Sequence, residues 1–163
     1  MEIDGLPLHP LVIHAVVVLV PLAALVAGAF AVVPRWRWLL RWPAVGLGVL
    51  GGLLVQLAAL SGEDLERSRG LGGPVLARHE MWADRLRIAI FALAVLTVLA
   101  AWLLPRAVPV VEGDDREDRL ASQWGAAALA VPLSVLLVVA SVAVLVLVFL
   151  TGEAGARAVW GTG

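Results

Sequence analysis

Four runs of this chain are apolar and nearly free of charge for longer than a soluble core helix needs. From Leu11 to Val33 the single ionisable residue is His14, and Ala44–Leu60, Ile88–Leu104 and Gly125–Leu150 carry no charge at all. At a rise of about 1.5 Å per residue such runs make about 26–39 Å of helix, enough to cross a hydrocarbon core of about 30 Å. The expected fold is an all-α, four-helix transmembrane bundle. It forms a single integral membrane domain over residues 1–163, with spans at about 10–33, 43–61, 85–104 and 124–150.

Composition agrees and narrows the function. Hydrophobic residues make up 61% of the chain, well above the about 45–50% of a soluble domain. The segments between spans are too short to hold a soluble domain. A net charge of −1 provides no concentrated basic surface, which argues against nucleic acid as a partner. Without cysteine there is no disulfide, iron–sulfur cluster or thiol chemistry.

Charge placement suggests an orientation. The leader Met1-Glu2-Ile3-Asp4-Gly5 is acidic where a signal peptide is basic, so the first span is expected to be retained. The first hairpin turn, Pro34–Trp42, holds Arg35, Arg37 and Arg41 without an acid, and reads as a cytoplasmic loop with interfacial Trp. Elsewhere the arginines balance: Arg67, Arg69, Arg78, Arg85, Arg87 and Arg157 on one face, with Arg106, Arg116 and Arg119 joining the first turn on the other. The first hairpin therefore decides, and both termini are expected outside.

An internal repeat organises the polar residues. The second span ends in Leu60-Ser61-Gly62-Glu63 and the fourth in Leu150-Thr151-Gly152-Glu153. His9, five residues before His14, matches His79, five residues before Asp84. Two helical hairpins in parallel orientation would produce this pattern and gather His9, His14, Glu63, Glu80, Asp84 and Glu153 at one membrane face. Ala44, Gly48, Gly52 and Gln56 form a small-residue stripe on the second span, echoed by Ala126, Ala130 and Ser134 on the fourth. Such stripes let helix backbones approach closely. Pro21 and Pro132 are expected to bend their spans.

The polar face admits two sharp readings and plainer ones. Pro10 opens the first span with His9 near the helix cap, so His14 lies about one turn inside, where an ionisable group is costly unless partnered. Its plain reading is a neutral imidazole hydrogen-bonded to a neighbouring helix. His9, His14, His79 and Glu80 have the ligand chemistry of a zinc or copper site. Against that, five residues turn a helix by about 500°, setting His9 and His14 roughly 140° apart. Alternatively His14 and His79 serve as axial ligands of a shallow b-type haem.

Most remaining polar segments look structural. Arg78–Arg87 reads as a salt-bridged helix start, Glu112–Arg119 as a loop, and Gly70-Leu71-Gly72-Gly73-Pro74 lacks the rest of a phosphate loop. No Ser–His–Asp, paired-carboxylate or dinucleotide signature is present, so enzymatic chemistry has no positive support. A membrane electron carrier competes with a non-catalytic accessory subunit that binds a homo-oligomer or a larger complex. A transporter would need a polar midplane path, for which only Gln56, Thr97, Ser134 and Ser141 are available.

Gly5-Leu6-Pro7-Leu8-His9-Pro10-Leu11-Val12-Ile13-His14 resembles the opening of the domain of unknown function 2231 family, small bacterial membrane proteins with four spans. His79-Glu80 and the tail Thr151–Gly161 are similar to the family as well. The resemblance covers the whole chain and implies a location in the bacterial cytoplasmic membrane. It singles out His9, Pro10, His14, His79 and the Gly152 region, and it implies no activity. One departure is Ala15-Val16, where the family often has Phe-Pro; a proline follows later, at Pro21.

Overall fold

The computed structural model describes the backbone at residues 2–3, 6–104 and 116–160, and side chains at 8–104, 129–158 and 160. Four helices dominate: α1 (Leu8–Val32), α2 (Arg37–Arg69), α3 (Pro74–Leu103) and α4 (Arg116–Trp160). Strand β1 (Glu2–Ile3) pairs antiparallel with β2 (Leu6–Pro7) just before α1. Each helix contains a stretch long and apolar enough to cross a membrane. α1 packs on α2 and α4, α3 packs on the same two, and α1 and α3 face each other across the diagonal.

Connections follow from local chemistry. A 3₁₀ turn at Pro34–Trp36 joins α1 to α2. There Arg37 donates from Nη2 to Ala31 O (3.0 Å) and from Nε to Phe30 O (3.3 Å), capping α1. Its Nη2 also reaches Ser134 Oγ at 3.3 Å, tying this corner to α4. At the other end Gly70 closes α2 in the left-handed region (φ 61°), its N–H bonded to Glu66 O. Four residues later Pro74 opens α3, where its missing N–H costs nothing. The glycine-rich stretch is thus a helix stop and restart.

The acidic segment differs from expectation. Residues 112–115 lie outside the described residues, but Arg116–Arg119 belong to α4. That helix has 45 residues, about 67 Å of length, so it extends well past a bilayer core.

Packing rests on small residues along α2. Ala44, Gly48, Gly51, Gly52, Val55, Ala58 and Ser61 are all buried. A Cβ at Gly48 would lie 3.4 Å from Ala94 Cα, so α2 and α3 touch backbone to backbone there. Phe91 lies over Gly52, and Ile90 and Val20 meet at Gly51. In lipid, this close approach supplies the van der Waals contact that holds helices together. On α4, Ser134 is bonded as above and Ala130 is partly buried, whereas the side chain of Ala126 lies outside the described residues.

Aromatic side chains mark both ends. Trp36, Trp38, Trp42 and Trp102 are exposed at the Arg-rich end, and Trp160 at the other. Gly48→Ala should be nearly neutral, since its methyl reaches only ordinary contact distance. Gly48→Leu should cost about 1–3 kcal/mol by prising α2 from α3. Thermal unfolding of the two variants in one detergent checks this, and equal midpoints would count against the close contact.

Candidate functional site

The helix ends opposite the Arg-rich turn enclose a cavity of about 350 Å³. Both His9 and His79 line it, with walls from Ile13, Val16, Val55, Leu76 and Leu86. Glu63 and Glu66 of α2 and Glu80 and Asp84 of α3 complete the lining.

Each histidine clamps its own hairpin. His9 Nδ1 is 2.9 Å from Ala58 O on α2, and His79 Nδ1 is 3.0 Å from Thr151 O on α4. Because a carbonyl only accepts, Nδ1 carries a proton in both rings, and in the neutral tautomer this selects, Nε2 holds the lone pair. Ser61 Oγ, which donates to Ala58 O, also sits 3.4 Å from His9 Nδ1. Neither Nε2 has a hydrogen-bond partner among the described residues.

A glycine lies under each ring. A Cβ at Gly62 would come within 3.1 Å of His9 Cε1, and one at Gly155 within 3.1 Å of His79 Cε1. In both hairpins this glycine stands four residues after the accepting carbonyl, on the same helix face. The repeat expected from sequence is therefore real in space, but its register differs. Gly155 is the counterpart of Gly62, whereas Gly152 is exposed and a Cβ there would meet nothing within 4 Å. Matching Ser61-Gly62-Glu63 to Thr151-Gly152-Glu153 slips the pairing by almost one turn. The four-residue spacing of Ala58/Gly62 and Thr151/Gly155 was the signal that could have found it.

The expected site residues divide. His9, His79, Glu80, Asp84 and Glu63 meet at the cavity. His14 does not: it is exposed, and its Nδ1 bonds Pro10 O at 2.6 Å on its own helix. The angular separation of His9 and His14 thus persists in the fold. Glu153 also stays outside, paired with Arg157 at 2.6 Å. Among the described residues, no three His, Asp or Glu side chains converge to hold a metal ion.

Electrostatics at the mouth are uneven. These residues precede the apolar stretch of α3, and Arg85 and Arg87 separate them from it. Glu63 is paired with Arg67 and Asp84 with Arg87, each at 2.9 Å. Glu80 has no ion pair among the described residues; a hydrogen bond to the Glu66 carboxylate, with the charges of Glu66, Asp84 and Glu63, raises its pKa above the usual range. Sequence reading overlooked Glu66, which lies one turn beyond Glu63. Burial lowers the His79 pKa, against the opposing hydrogen bond to Thr151, and His9 lowers it further.

A family profile described as predicted membrane protein, DUF2231, matches residues 5–163. The chain belongs to that family. No curated protein and no solved structure matches it. Membership accords with the four spans and leaves the chemistry of this DUF2231 site to be read from its own residues.

Gly62→Ala and Gly155→Ala should each push a histidine ring off its carbonyl and cost about 1–3 kcal/mol, while Gly152→Ala should change nothing. Thermal unfolding of the three variants in detergent tests the clamp; equal behaviour of Gly152→Ala and Gly155→Ala would refute the register.

A second expectation concerns pH. The raised Glu80 pKa adds stability that is full below the ordinary carboxyl range and lost as pH rises through the raised value. The lowered His79 pKa adds stability present above the ordinary imidazole value and lost as pH falls through the lowered one. Glu80→Gln should therefore flatten the decline on the carboxyl side without altering the loss from His79. Melting temperatures of the two chains in detergent against pH give the comparison.

Proposed function

We propose that this protein is a four-span protein of the bacterial cytoplasmic membrane that holds a b-type haem between His9 and His79 and carries electrons near the outer surface. The carrying observation is the pair of imidazoles from diagonally opposed helices, lining one cavity with Nδ1 committed and Nε2 unclaimed. Anchoring Nδ1–H on a carbonyl fixes the tautomer and ring orientation that a ligating histidine requires. The pairing differs from His14 with His79, because His14 lies outside the cavity.

The donor set favours haem over a bare ion. A zinc or copper ion wants three or four converging donors, whereas haem asks for two imidazoles and apolar walls. Ile13, Val16, Val55, Leu76 and Leu86 supply such walls. When bound, the haem would supply one-electron transfer. The chain's own part is to hold both imidazoles in orientation through their Nδ1 hydrogen bonds, with the acidic residues at the mouth. Termini and cavity are assigned to the outer face on the strength of Arg35, Arg37 and Arg41 at the opposite end.

A second reading rests on the same hydrogen bonds. Both histidines already join helix to helix, which suits a non-catalytic accessory subunit whose imidazoles are pins. Reduced-minus-oxidised absorption of the protein purified in mild detergent separates the two. A Soret shift in wild type and His14→Ala, lost in His9→Ala and His79→Ala, is expected for haem. Absence of any Soret band in folded wild type, after haem supplementation, would leave the accessory reading.

A further inference from the structure

The Arg-rich end holds a buried cation that the cavity does not use. Arg41 on α2 is only 8% exposed, and its buried Nε has no hydrogen-bond partner among the described residues. The guanidinium carbon stands 5.4 Å from the ring centre of Trp42 and 5.8 Å from that of Trp102 on α3. Neither ring offers an acceptor in the guanidinium plane, so the Nε donor remains unsatisfied. Its neighbour one turn earlier is different, since Arg37 bonds Phe30 O, Ala31 O and Ser134 Oγ. A buried cation whose Nε finds no acceptor among the described residues is costly in low dielectric, and the cost falls if an anion supplies one.

The surroundings say which anion fits. Trp36, Trp38, Trp42 and Trp102 are exposed at this level, where amphipathic rings mark the headgroup region. The start of α2 and the end of α3, joined where Arg41 meets Trp102, therefore lie at phosphate depth. Arginine meets phosphate through paired N–H donors, and basic pockets between spans take acidic headgroups. We propose that Arg41, framed by Trp42 and Trp102, is a binding site for the phosphate of an anionic phospholipid. Independent of the histidine cavity, this site lies at the opposite end of the bundle.

The test uses the full-length chain in detergent with added phosphatidylglycerol, phosphatidylcholine or inorganic phosphate. Native mass spectrometry should show phosphatidylglycerol retained at least about tenfold over phosphatidylcholine by wild type and by Arg35→Gln. Arg41→Gln should lose that preference. Arg41→Lys, which keeps the charge without the Nε donor, should hold an intermediate one. Phosphatidylglycerol should also raise the melting temperature of wild type but not of Arg41→Gln. If Arg41→Gln does not fold, the Arg41→Lys comparison carries the test. Equal preference in wild type and Arg41→Lys would overturn the proposal, as would no lipid preference in wild type, which would point to an acid of the chain itself. The same thermal shift from inorganic phosphate alone would overturn the lipid assignment in favour of a soluble phosphate.

Discussion

The hydrogen bond from an imidazole Nδ1–H to a carbonyl on the next helix, made over a glycine, is what the polar end of this bundle depends on. It is made twice, by His9 to Ala58 and by His79 to Thr151. Each bond contributes about 1 kcal/mol, which is modest in isolation. Its larger effect is geometric. Each ring rests on Gly62 or Gly155, where a Cβ would come within 3.1 Å and push it aside, so side chain, glycine and helix spacing are set together. With both hairpins fastened near their ends, the two imidazoles share one cavity, and their tautomers are fixed before any ligand arrives.

Two similar clamps do not make a symmetric site. Among the described residues, the acids that line the cavity come from α2 and α3, where the tight Gly70–Gly73 turn brings Glu66 and Glu80 together. In the other hairpin, the position one after the clamping glycine is Ala156, where α2 has Glu63. At the step five residues after the histidine, α1 has the outward-facing His14 where α3 has the cavity-lining Asp84. A repeat that supplies two equivalent anchors has thus kept its carboxylates on one side. The cavity is apolar towards the bundle and anionic at its rim, an arrangement that a strictly twofold bundle would not provide.

Much of the fold was legible because bilayer thickness and charge exclusion act on long stretches of sequence. Four spans, the α2 stripe and the gathering of polar residues at one end all follow from them. The site was only partly legible. Sequence likeness aligned Gly62 with Gly152, because Ser-Gly-Glu and Thr-Gly-Glu look alike; packing selects Gly155, because helices match by face and not by adjacent letters. Angular arithmetic separated His9 from His14 correctly, yet it could not say which of them faced inward. That depends on which neighbouring helix presents a carbonyl and a glycine at the right height. Glu66 was overlooked for the same reason, since its partner Glu80 is close only once the turn between α2 and α3 has formed.

The midplane explains why chemistry is confined to the ends. Thr97 is buried and donates to Leu93 O at 2.6 Å on its own helix, so its hydroxyl is already spent. Ser134 is taken by Arg37. Ser141 is buried beside Gly28, where small size admits close packing of α4 on α1. None of these hydroxyls lines the cavity, and Gln56 does not line it either. A polar solute crossing here would have to part backbones that already touch at Gly48 and Ala94. The small residues that let the bundle cohere in lipid therefore also bring its backbones together at the centre, and the cavity lined by both histidines and four acids lies at one end.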